Sequence, residues 1–174
     1  MIDTERLLLR EWVEEDIVPF AAINRSEKVM KYFPKPLSYE ETVGFYNRIT
    51  REFAACGFGL YAVELKSTGE FIGYTGFHRF DFEADFSPGI EIGWRLDDRH
   101  WNRGYATEAA QACLDYARKR GGFDRVYSFT AVCNRRSERV MQKIGMKQVG
   151  TFSHPALPDG HWLREHVLYC IDFL

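Results

Sequence analysis

Residues 90–118 constrain the fold of this chain more than any other segment. Apolar and polar side chains alternate over residues 90–96, as in a strand that buries one face. After a polar loop, small side chains recur at helical spacing: Ala106, Ala109, Ala110, Cys113 and Ala117. Because such a face lets a helix backbone lie close to a sheet, the segment predicts a helix layered on a sheet.

Helices and strands alternate through the rest of the chain. Ser38 and Glu41 match a capping box at the start of a helix that Gly57 ends. The other predicted elements are a strand at 7–12 leading into a helix, a hairpin at 60–65 and 71–77, a strand at 125–132, a helix at 137–144, and strands near 147–152 and 165–173. This order predicts a mixed α/β fold. With no internal repeat or linker, residues 1–174 are expected to form a single domain.

Charge and apolar runs argue against several classes of partner. The formal net charge is −2, so no strong positive field is available to bind nucleic acid. The sequence shows neither a signal peptide nor an apolar run of bilayer length, so we expect a cytoplasmic protein without membrane contact. The four cysteines, Cys56, Cys113, Cys133 and Cys170, stand far apart. This spacing argues against a zinc site or disulfides and favours small buried side chains.

The turn at residues 102–107 follows the predicted strand and opens the helix. Free backbone N–H groups at a helix start, together with the helix dipole, favour binding of a diphosphate. Gly104 has no Cβ and lets a ligand approach the backbone closely. An ordinary helix start with a convenient glycine explains the same residues, and the turn alone does not decide between the two.

Asn134 ends the next predicted strand, and Ser137 lies one helical turn later on the same side. The Asn134 amide is free to hydrogen-bond an amide of a ligand, or it caps the helix that follows. Taken without the preceding turn, these two residues favour the helix cap.

Four segments in this order resemble successive conserved motifs of the GCN5-related N-acetyltransferase (GNAT) superfamily. They are residues 91–96, 101–109, 134–137 and 143–146. The opening residues 4–10, TERLLLR, resemble its ribosomal-protein-alanine acetyltransferase-like (RimJ/RimL-type) branch. The resemblance implies a mixed, mostly antiparallel sheet of six or seven strands flanked by about four helices. The cofactor is then expected in the cleft between two splayed central strands.

The resemblance also implies a reaction and its substrates. The acetyl group of acetyl-CoA passes directly to a primary amine in a complex that holds both substrates, and no metal is needed. The acceptor is then a small-molecule amine or a protein N-terminus. Family members are often homodimers, and the sequence leaves the oligomeric state open.

By resemblance, the backbone amides of the turn hold the pyrophosphate of the cofactor, and Arg103 adds positive charge there. The residues of this turn are Asn102, Arg103, Gly104, Tyr105, Ala106 and Thr107. The chain departs from the family pattern at Trp101, where arginine or glutamine is usual, and at Asn102, where this branch often has glycine. Since the contacts are mainly backbone amides, neither change is expected to abolish binding.

The pantetheine arm is expected to contact two further parts of the chain. By resemblance, the strand backbone at Trp94 and Leu96 pairs with its amides, and Asn134 hydrogen-bonds it. Ser137 matches the serine of this branch that lies near the sulfur. Many family members protonate the leaving thiolate with a tyrosine further along this helix, but the corresponding residue here is Met141. We therefore expect Ser137, directly or through a water, to supply that proton.

Glu91 is the predicted general base, because the attacking amine must first lose a proton. It lies on the strand that carries the cofactor, and Gly93 allows a bulge or backbone splay beside the thioester. A solvated strand carboxylate is the alternative interpretation of Glu91, and His78 is the alternative base. Met141 also motivates a second function, a catalytically weak acyl-CoA-binding sensor or regulatory module.

Two loops are candidates for the acceptor side. Residues 153–162, bounded by proline and glycine, are expected to wall the acceptor site. Phe80, Phe82 and Phe86 are expected to line the acceptor pocket or to pack on a second subunit. The three histidines His154, His161 and His166 lack the spacing of a metal site, so no metal is predicted.

Overall fold

The computed structural model describes residues 1–173. Their strands are β1 (Ile2–Asp3), β2 (Leu7–Arg10), β3 (Leu60–Leu65), β4 (Phe71–Phe80), β5 (Gly89–Leu96), β6 (Arg125–Ala131), β7 (Lys147–Ser153) and β8 (Glu165–Asp172). Their α-helices are α1 (Ile17–Arg25), α2 (Tyr39–Cys56), α3 (Tyr105–Arg120) and α4 (Arg135–Lys143). The order of strands and helices confirms the predicted mixed α/β fold.

These strands form one sheet in the order β1-β2-β3-β4-β5-β6-β8-β7. Neighbouring strands are antiparallel except for β5 and β6, which are parallel. The predicted count of six or seven strands is wrong, because residues 1–173 contain eight. The extra strand is β1, in which Ile2 and Asp3 pair with Leu9 and Leu8. A two-residue strand carries no alternating pattern from which the sequence could reveal it.

The sheet opens between β5 and β6, as the resemblance implies. One residue pair, Glu91 with Tyr127, joins these two strands. On its other edge β5 pairs with β4 without a break, from Gly89 to Leu96. The bulge considered at Gly93 is therefore absent from the β4–β5 ladder. Since β5 keeps all its pairs with β4, the whole opening lies on the β6 side.

Each face of the sheet packs on a different pair of helices. The small side chains of α3, including Ala109, Ala110, Cys113 and Ala117, are fully buried against one face. This confirms the close helix–sheet packing predicted from their spacing. On the other face, aromatic side chains from α1, α2 and the sheet form a second core. Tyr74 belongs to this second core.

Local patterns in the sequence correctly predict both ends of α2. The Ser38 Oγ accepts a hydrogen bond from the Glu41 N–H at 3.1 Å, and the Glu41 carboxylate accepts one from the Ser38 N–H at 2.8 Å. Gly57 ends α2 with a φ of 68°. The predicted capping box and helix end are therefore confirmed. Among the described residues, no helix is both long enough and apolar enough to cross a bilayer.

The expectation that every cysteine is buried is wrong for two of the four. Cys113 and Cys170 are buried, whereas Cys56 and Cys133 are half-buried. Cys56 lies at the C-terminal end of α2, and Cys133 lies in the short turn between β6 and α4. Side chains at such positions are covered on one side only.

Candidate active-site cleft

A cleft of about 1190 Å³ opens where β5 and β6 diverge. Its walls include Glu91, Gly93 and Arg95 of β5, and Ser128 and Phe129 of β6. A pocket for one drug-sized ligand typically encloses about 300–1,000 Å³. The cleft is therefore large enough for two ligands at once.

One end of the cleft is the turn that starts α3. Gly104 precedes the helix with a φ of 83°, and Asn102 has a φ of 61°. Glycine adopts this left-handed region freely, and asparagine tolerates it better than most residues. Asn102 thus has a backbone conformation that glycine also adopts. The first N–H groups of α3 have no partner within the helix and remain available to an anion.

The need for glycine at position 104 is mainly conformational. A Cβ added there would lie 3.3 Å from the Arg6 Nη2, the flexible end of a side chain, with no backbone atom in the way. The left-handed φ is the stronger constraint, because a side chain at that φ is strained. A substitution would therefore change the turn as well as fill space beside it.

The N-terminal clamp, formed by Thr4, Arg6 and Glu108, holds this turn in place. The Arg6 guanidinium lies 2.6 Å from the Glu108 carboxylate, and the Thr4 hydroxyl donates to the same carboxylate at 2.7 Å. The Arg6 Nη1 also donates to the Arg103 carbonyl at 2.9 Å. Burial acts to raise the pKa of Glu108, but the hydrogen bonds from Thr4 and Arg6 outweigh it and lower the pKa. The clamp thus ties the residues around the first strands to the helix start.

The structure brings all but one of the residues assigned to the cofactor to the walls of the cleft. Those that line it are Trp94, Leu96, Asn102, Gly104, Tyr105, Ala106, Thr107, Asn134 and Ser137. Arg103 does not line it; its side chain is exposed and its carbonyl faces Arg6. The contribution of charge predicted for Arg103 finds no support in this geometry.

Trp101 has a packing role that explains its departure from the family pattern. Its Nε1 donates to the Leu96 carbonyl at 2.9 Å, and the Arg136 guanidinium lies 4.7 Å from its ring centre. Trp101 therefore joins the end of β5 to the turn and to α4. The Leu96 carbonyl already accepts one hydrogen bond and has a single lone pair left for a cofactor.

Asn134 caps α4 while lining the cleft. Its Oδ1 accepts from the Ser137 N–H at 3.5 Å, and its Nδ2 donates to the Thr130 Oγ1 at 2.9 Å. The cap is the interpretation favoured by these residues alone, and the predicted hydrogen bond to the cofactor would use the remaining lone pair of Oδ1. Ser137 also lines the cleft, in the first turn of α4.

Met141 lies away from the cleft. It is 1% exposed and packs in the core between the sheet and α3. Met141 is therefore not part of the cleft lining, and the proton donor Ser137 and the alternative sensor function stay predictions.

At the other end of the cleft, His78 and Glu91 form an ion pair. They are direct partners on β4 and β5, and the His78 Nε2 lies 2.8 Å from the Glu91 Oε2. The Glu91 side chain is 13% exposed, so a freely solvated carboxylate does not describe it. Burial acts to lower the pKa of His78, but the charge and hydrogen bond of Glu91 outweigh it and raise the pKa to about 9. At neutral pH the His78 ring is therefore an imidazolium.

His154 and His166 line the same cleft as His78, but their pKa values are shifted in the opposite direction. Their ring centres are 5.0 Å apart, and both line the cleft. Burial lowers the pKa of His166 to about 4, and burial also lowers the pKa of His154 although Glu91 acts to raise it. Both rings are neutral at pH 7. His161 lies elsewhere, and residues 1–173 hold no cluster of three His, Cys, Asp or Glu side chains suited to a metal.

The aromatic wall, formed by Phe80, Phe82, Phe86, Phe129 and Phe152, supports this end from behind. Phe80 stacks on Phe82 at 5.1 Å, and Phe86 packs on Phe152 at 4.9 Å. Phe129 lines the cleft, but Phe80, Phe82 and Phe86 do not. Their predicted place in the lining is therefore wrong, because they pack on one another and on the sheet.

The loop at residues 153–162 forms part of the cleft wall. His154, Ala156 and Leu157 line the cleft. Trp162 does not, because it is 59% exposed and packs beside the Tyr32 ring at 6.4 Å. The predicted wall is thus made by the first half of the loop.

Two residues of the cleft were missed at the level of sequence. Tyr74 and Arg95 are direct partners on β4 and β5, and both line the cleft. A signal existed, because Arg95 lies four residues after Glu91 and shares its face of the strand. No such signal in the sequence pointed to Tyr74, because its pairing with β5 depends on the register of a long hairpin.

Comparisons with known proteins agree with this geometry. A model of the acetyltransferase (GNAT) domain matches residues 6–147. The uncharacterized N-acetyltransferase YnaD of Bacillus subtilis is 33% identical over 171 residues, which cover 98% of this chain and 95% of the relative. A GNAT-family acetyltransferase from Bacillus anthracis superposes with a TM-score of 0.82 at 31% identity, covering 99% of this chain and 98% of that one. RimL, a ribosomal L7/L12 alpha-N-protein acetyltransferase in complex with coenzyme A, shares the fold with a TM-score of 0.78 at 18% identity, covering 97% and 95%.

Proposed function

This chain belongs to the GNAT family of acetyl-CoA-dependent N-acetyltransferases, and on that premise we propose that it transfers the acetyl group directly to a primary amine while both substrates occupy the cleft. One observation carries the proposal. A single cleft has unpaired helix-start N–H groups at one end and the His78–Glu91 pair at the other. The first group suits a diphosphate, and the second suits proton transfer from an amine.

Glu91 is the proposed base. Its Oε2 is held by His78, while its Oε1 borders the space above Gly93, where an added Cβ would lie 3.9 Å away. The Oε1 atom is thus placed to accept the proton of an ammonium group lying over Gly93. His78 is protonated at neutral pH and serves to position Glu91 rather than to accept a proton.

The proposed reaction follows from these positions. Glu91 takes one proton from the ammonium group, and the neutral nitrogen attacks the thioester carbonyl carbon. A C–N bond forms, the C–S bond breaks, and the electron pair leaves with sulfur. Ser137, directly or through a water, gives a proton to the thiolate and recovers one from the second N–H that the nitrogen loses as the amide forms. Glu91 then releases its proton to solvent. No acyl-enzyme forms in this sequence, because the amine attacks the thioester itself.

The acceptor is proposed to be a small-molecule amine or a protein N-terminus. RimL is an alpha-N-protein acetyltransferase of a ribosomal protein, which supports a protein N-terminus for a chain of the same fold. The proposed acceptor end has the buried side chains of Tyr74 and Arg95 among its walls, which supports a small molecule.

Melting curves and a thiol-release assay test the proposal together. Acetyl-CoA should raise the melting temperature, since a ligand at about a hundred times its Kd stabilises the native state by roughly 2.7 kcal/mol. Free thiol should then appear with at least one class of amine, chosen from amino acids, polyamines, aminoglycosides and peptides. Stabilisation without turnover of any amine would favour the sensor function. An unchanged melting curve would contradict both.

A further inference from the structure

We propose that Arg95 binds an oxyanion, a carboxylate or a phosphate, carried by the acceptor amine. The proposal rests on the proposed acetyl transfer, and it names the chemical class of the acceptor. It starts from an imbalance in the cleft: Arg95 is a cation 7% exposed, and residues 1–173 place no carboxylate against it.

The hydrogen bonding of Arg95 is incomplete. Its Nη1 donates to the Asn24 Oδ1 at 2.7 Å, whereas its buried Nε has no partner among the described residues. Burial lowers the pKa of Arg95, as expected for a charge removed from water. Buried arginines are rare unless paired, because the lost hydration must be replaced by a counter-charge and hydrogen bonds. The missing counter-charge is what an anionic ligand would supply.

Aromatic rings determine how such a ligand can approach. The Arg95 guanidinium lies 4.2 Å from the ring centre of Phe33, 5.4 Å from that of Tyr74 and 5.6 Å from that of Phe45. Rings of this kind contact the flat faces of a guanidinium, so hydrogen bonds form at its edges. Asn24 occupies Nη1, and the surrounding protein shields Nε, so Nη2 is the nitrogen left for a ligand in the cleft. Nη2 suits a charge-assisted hydrogen bond to a carboxylate or phosphate oxygen.

Arg95 and Glu91 face the same space. Residues 91, 93 and 95 alternate onto one face of β5, opposite His78, Gly76 and Tyr74 on β4. The paired glycines, Gly76 and Gly93, leave bare backbone between the two pairs of side chains. Residues four apart on a strand have Cα atoms about 13 Å apart. An acceptor lying over the glycines would therefore present its amine to Glu91 and its oxyanion to Arg95.

The charge around this space also favours an anion. Lys31 and Arg48 line the same cleft and have no carboxylate partner among residues 1–173; their charged groups lie over Tyr32 and Phe45. A polyamine is itself a cation and would be repelled by these side chains. An acceptor with a negative group at one end would be attracted by them.

Matched acceptors test the proposal. Thiol release from acetyl-CoA is measured with 6-aminohexanoate, hexylamine and 1,6-diaminohexane, and separately with 2-aminoethyl phosphate and ethanolamine. In at least one of the two series we expect kcat/KM to be roughly tenfold or more higher for the oxyanion-bearing amine than for its neutral partner. The series with the larger preference identifies carboxylate or phosphate as the group recognised.

Arg95→Met removes the charge at similar volume. It should reduce that preference roughly tenfold or more while leaving the KM of acetyl-CoA unchanged. The melting temperature should hold or rise, because an unpaired buried charge is lost. Arg118→Met, at an arginine 56% exposed near the end of α3, is the matched control and should keep the preference. Should Arg95→Met fail to fold, Arg95→Lys keeps the charge without the planar edge and should reduce the preference in the same direction.

Two results would overturn the role of Arg95. One is a wild-type enzyme that shows no preference for oxyanion-bearing amines in either series. The other is an Arg95→Met enzyme that loses activity equally on charged and neutral acceptors. If no amine is turned over, calorimetry with 6-aminohexanoate and 2-aminoethyl phosphate on the coenzyme A complex separates the two proposals. Binding that disappears in Arg95→Met supports this site although transfer fails, and no binding to the wild type overturns it.

Discussion

The two ends of the cleft, proposed for the cofactor and for the acceptor, are built by different means. The cofactor end is mostly backbone, from one contiguous turn at residues 102–107, and the N-terminal clamp holds it in shape. The acceptor end is made of side chains from distant segments: Phe33, Phe45, His78, Glu91, Arg95 and His166. Backbone recognition can be encoded in a short motif, whereas side-chain recognition depends on the assembled fold. The difference explains why the sequence indicates the cofactor more readily than the acceptor.

The two ends also differ in how they use charge. The turn at 102–107 offers dipoles and N–H groups that do not titrate. The acceptor end holds ionisable groups whose pKa values are displaced in opposite directions, raised for His78 and lowered for His166. Changes at the acceptor end should therefore alter rate and pH dependence, and changes at the cofactor end should alter affinity.

The largest effect is expected at Glu91. Glu91→Gln keeps the shape of the side chain and removes its basicity, so the maximal rate should fall about a hundredfold or more. The affinity for acetyl-CoA should change little, because the cofactor contacts predicted on β5 are backbone ones. Steady-state rates and calorimetry measure the two quantities separately.

Glu52 provides the matched control for this change. It is another carboxylate of the cleft wall, and its Oε1 accepts the Arg79 N–H at 2.6 Å, a bond that glutamine retains. Glu52→Gln should keep most of the rate. A Glu91→Gln enzyme with wild-type rates across pH would place the base elsewhere, with His78 the next residue to test.

Gly104 tests the cofactor end. Gly104→Val should raise the Kd of acetyl-CoA by roughly tenfold or more, because a side chain at this φ distorts the turn whose N–H groups bind the anion. Gly122→Val is a close control, since Gly122 has a φ of 81° against 83° at Gly104 and has nothing within 4 Å of an added Cβ. Both variants should lose about 1–3 kcal/mol of stability.

The thermal shift by acetyl-CoA distinguishes these two glycine variants. It should be lost in Gly104→Val and kept in Gly122→Val. A full shift in Gly104→Val would mean that the phosphate site lies away from the start of α3.

A smaller effect is expected at Ser137. Ser137→Ala should lower the maximal rate by about tenfold, with little change in cofactor affinity, because the hydroxyl is needed when the thiolate leaves. Asn134→Ala should show the reverse pattern. It should lose about 1 kcal/mol of stability with the helix cap and about 1 kcal/mol of cofactor affinity. An unchanged maximal rate in Ser137→Ala would remove its assigned role.

The smallest effect concerns stability and pH. The folded-state pKa of His78, about 9, lies above the ordinary value of 6.5, so the unfolded chain loses this proton first as pH rises. The stability that the ion pair contributes is complete below about pH 6.5 and is lost as pH rises through about 9. His78 is about one-third exposed, which limits the contribution to about 1 kcal/mol or less.

Melting curves of the wild type and His78→Gln between pH 6 and pH 10 check this prediction. The wild type should be the more stable protein at pH 6, and the difference should fade by pH 10. His166 provides the opposite case, because its folded-state pKa of about 4 makes stability fall as pH drops from about 6.5 to 4. A constant difference over the whole range would exclude charge as the basis of the His78 contribution.

Several features of the fold could be predicted from local patterns in the sequence. The capping box at Ser38, the small face of α3 and the turn at Gly104 are local patterns, and each predicts its structure because neighbouring residues determine it. The parallel β5 and β6 separate as the family motifs imply. These features needed no knowledge of distant contacts.

What sequence reasoning missed depends on contacts across the fold. Arg95 looks like an ordinary strand arginine until Phe33, Phe45 and Asn24 close around it. The core position of Met141 was equally out of reach, because it depends on packing between the sheet and α3. Burial and side-chain direction follow from the assembled layers, which a linear pattern does not contain.

The N-terminal clamp has a consequence for how the protein opens and closes in solution. Thr4 and Glu108 are 104 positions apart in the chain, yet they share one carboxylate network with Arg6. Fraying of β1 and β2 would release Arg6 and loosen the turn that meets the cofactor. The amide hydrogens of both segments should then exchange with solvent as one cooperative unit, and acetyl-CoA should slow exchange in β1 and β2 although it touches neither strand. The first residues of the chain thereby share in the energetics of a site formed a hundred residues later.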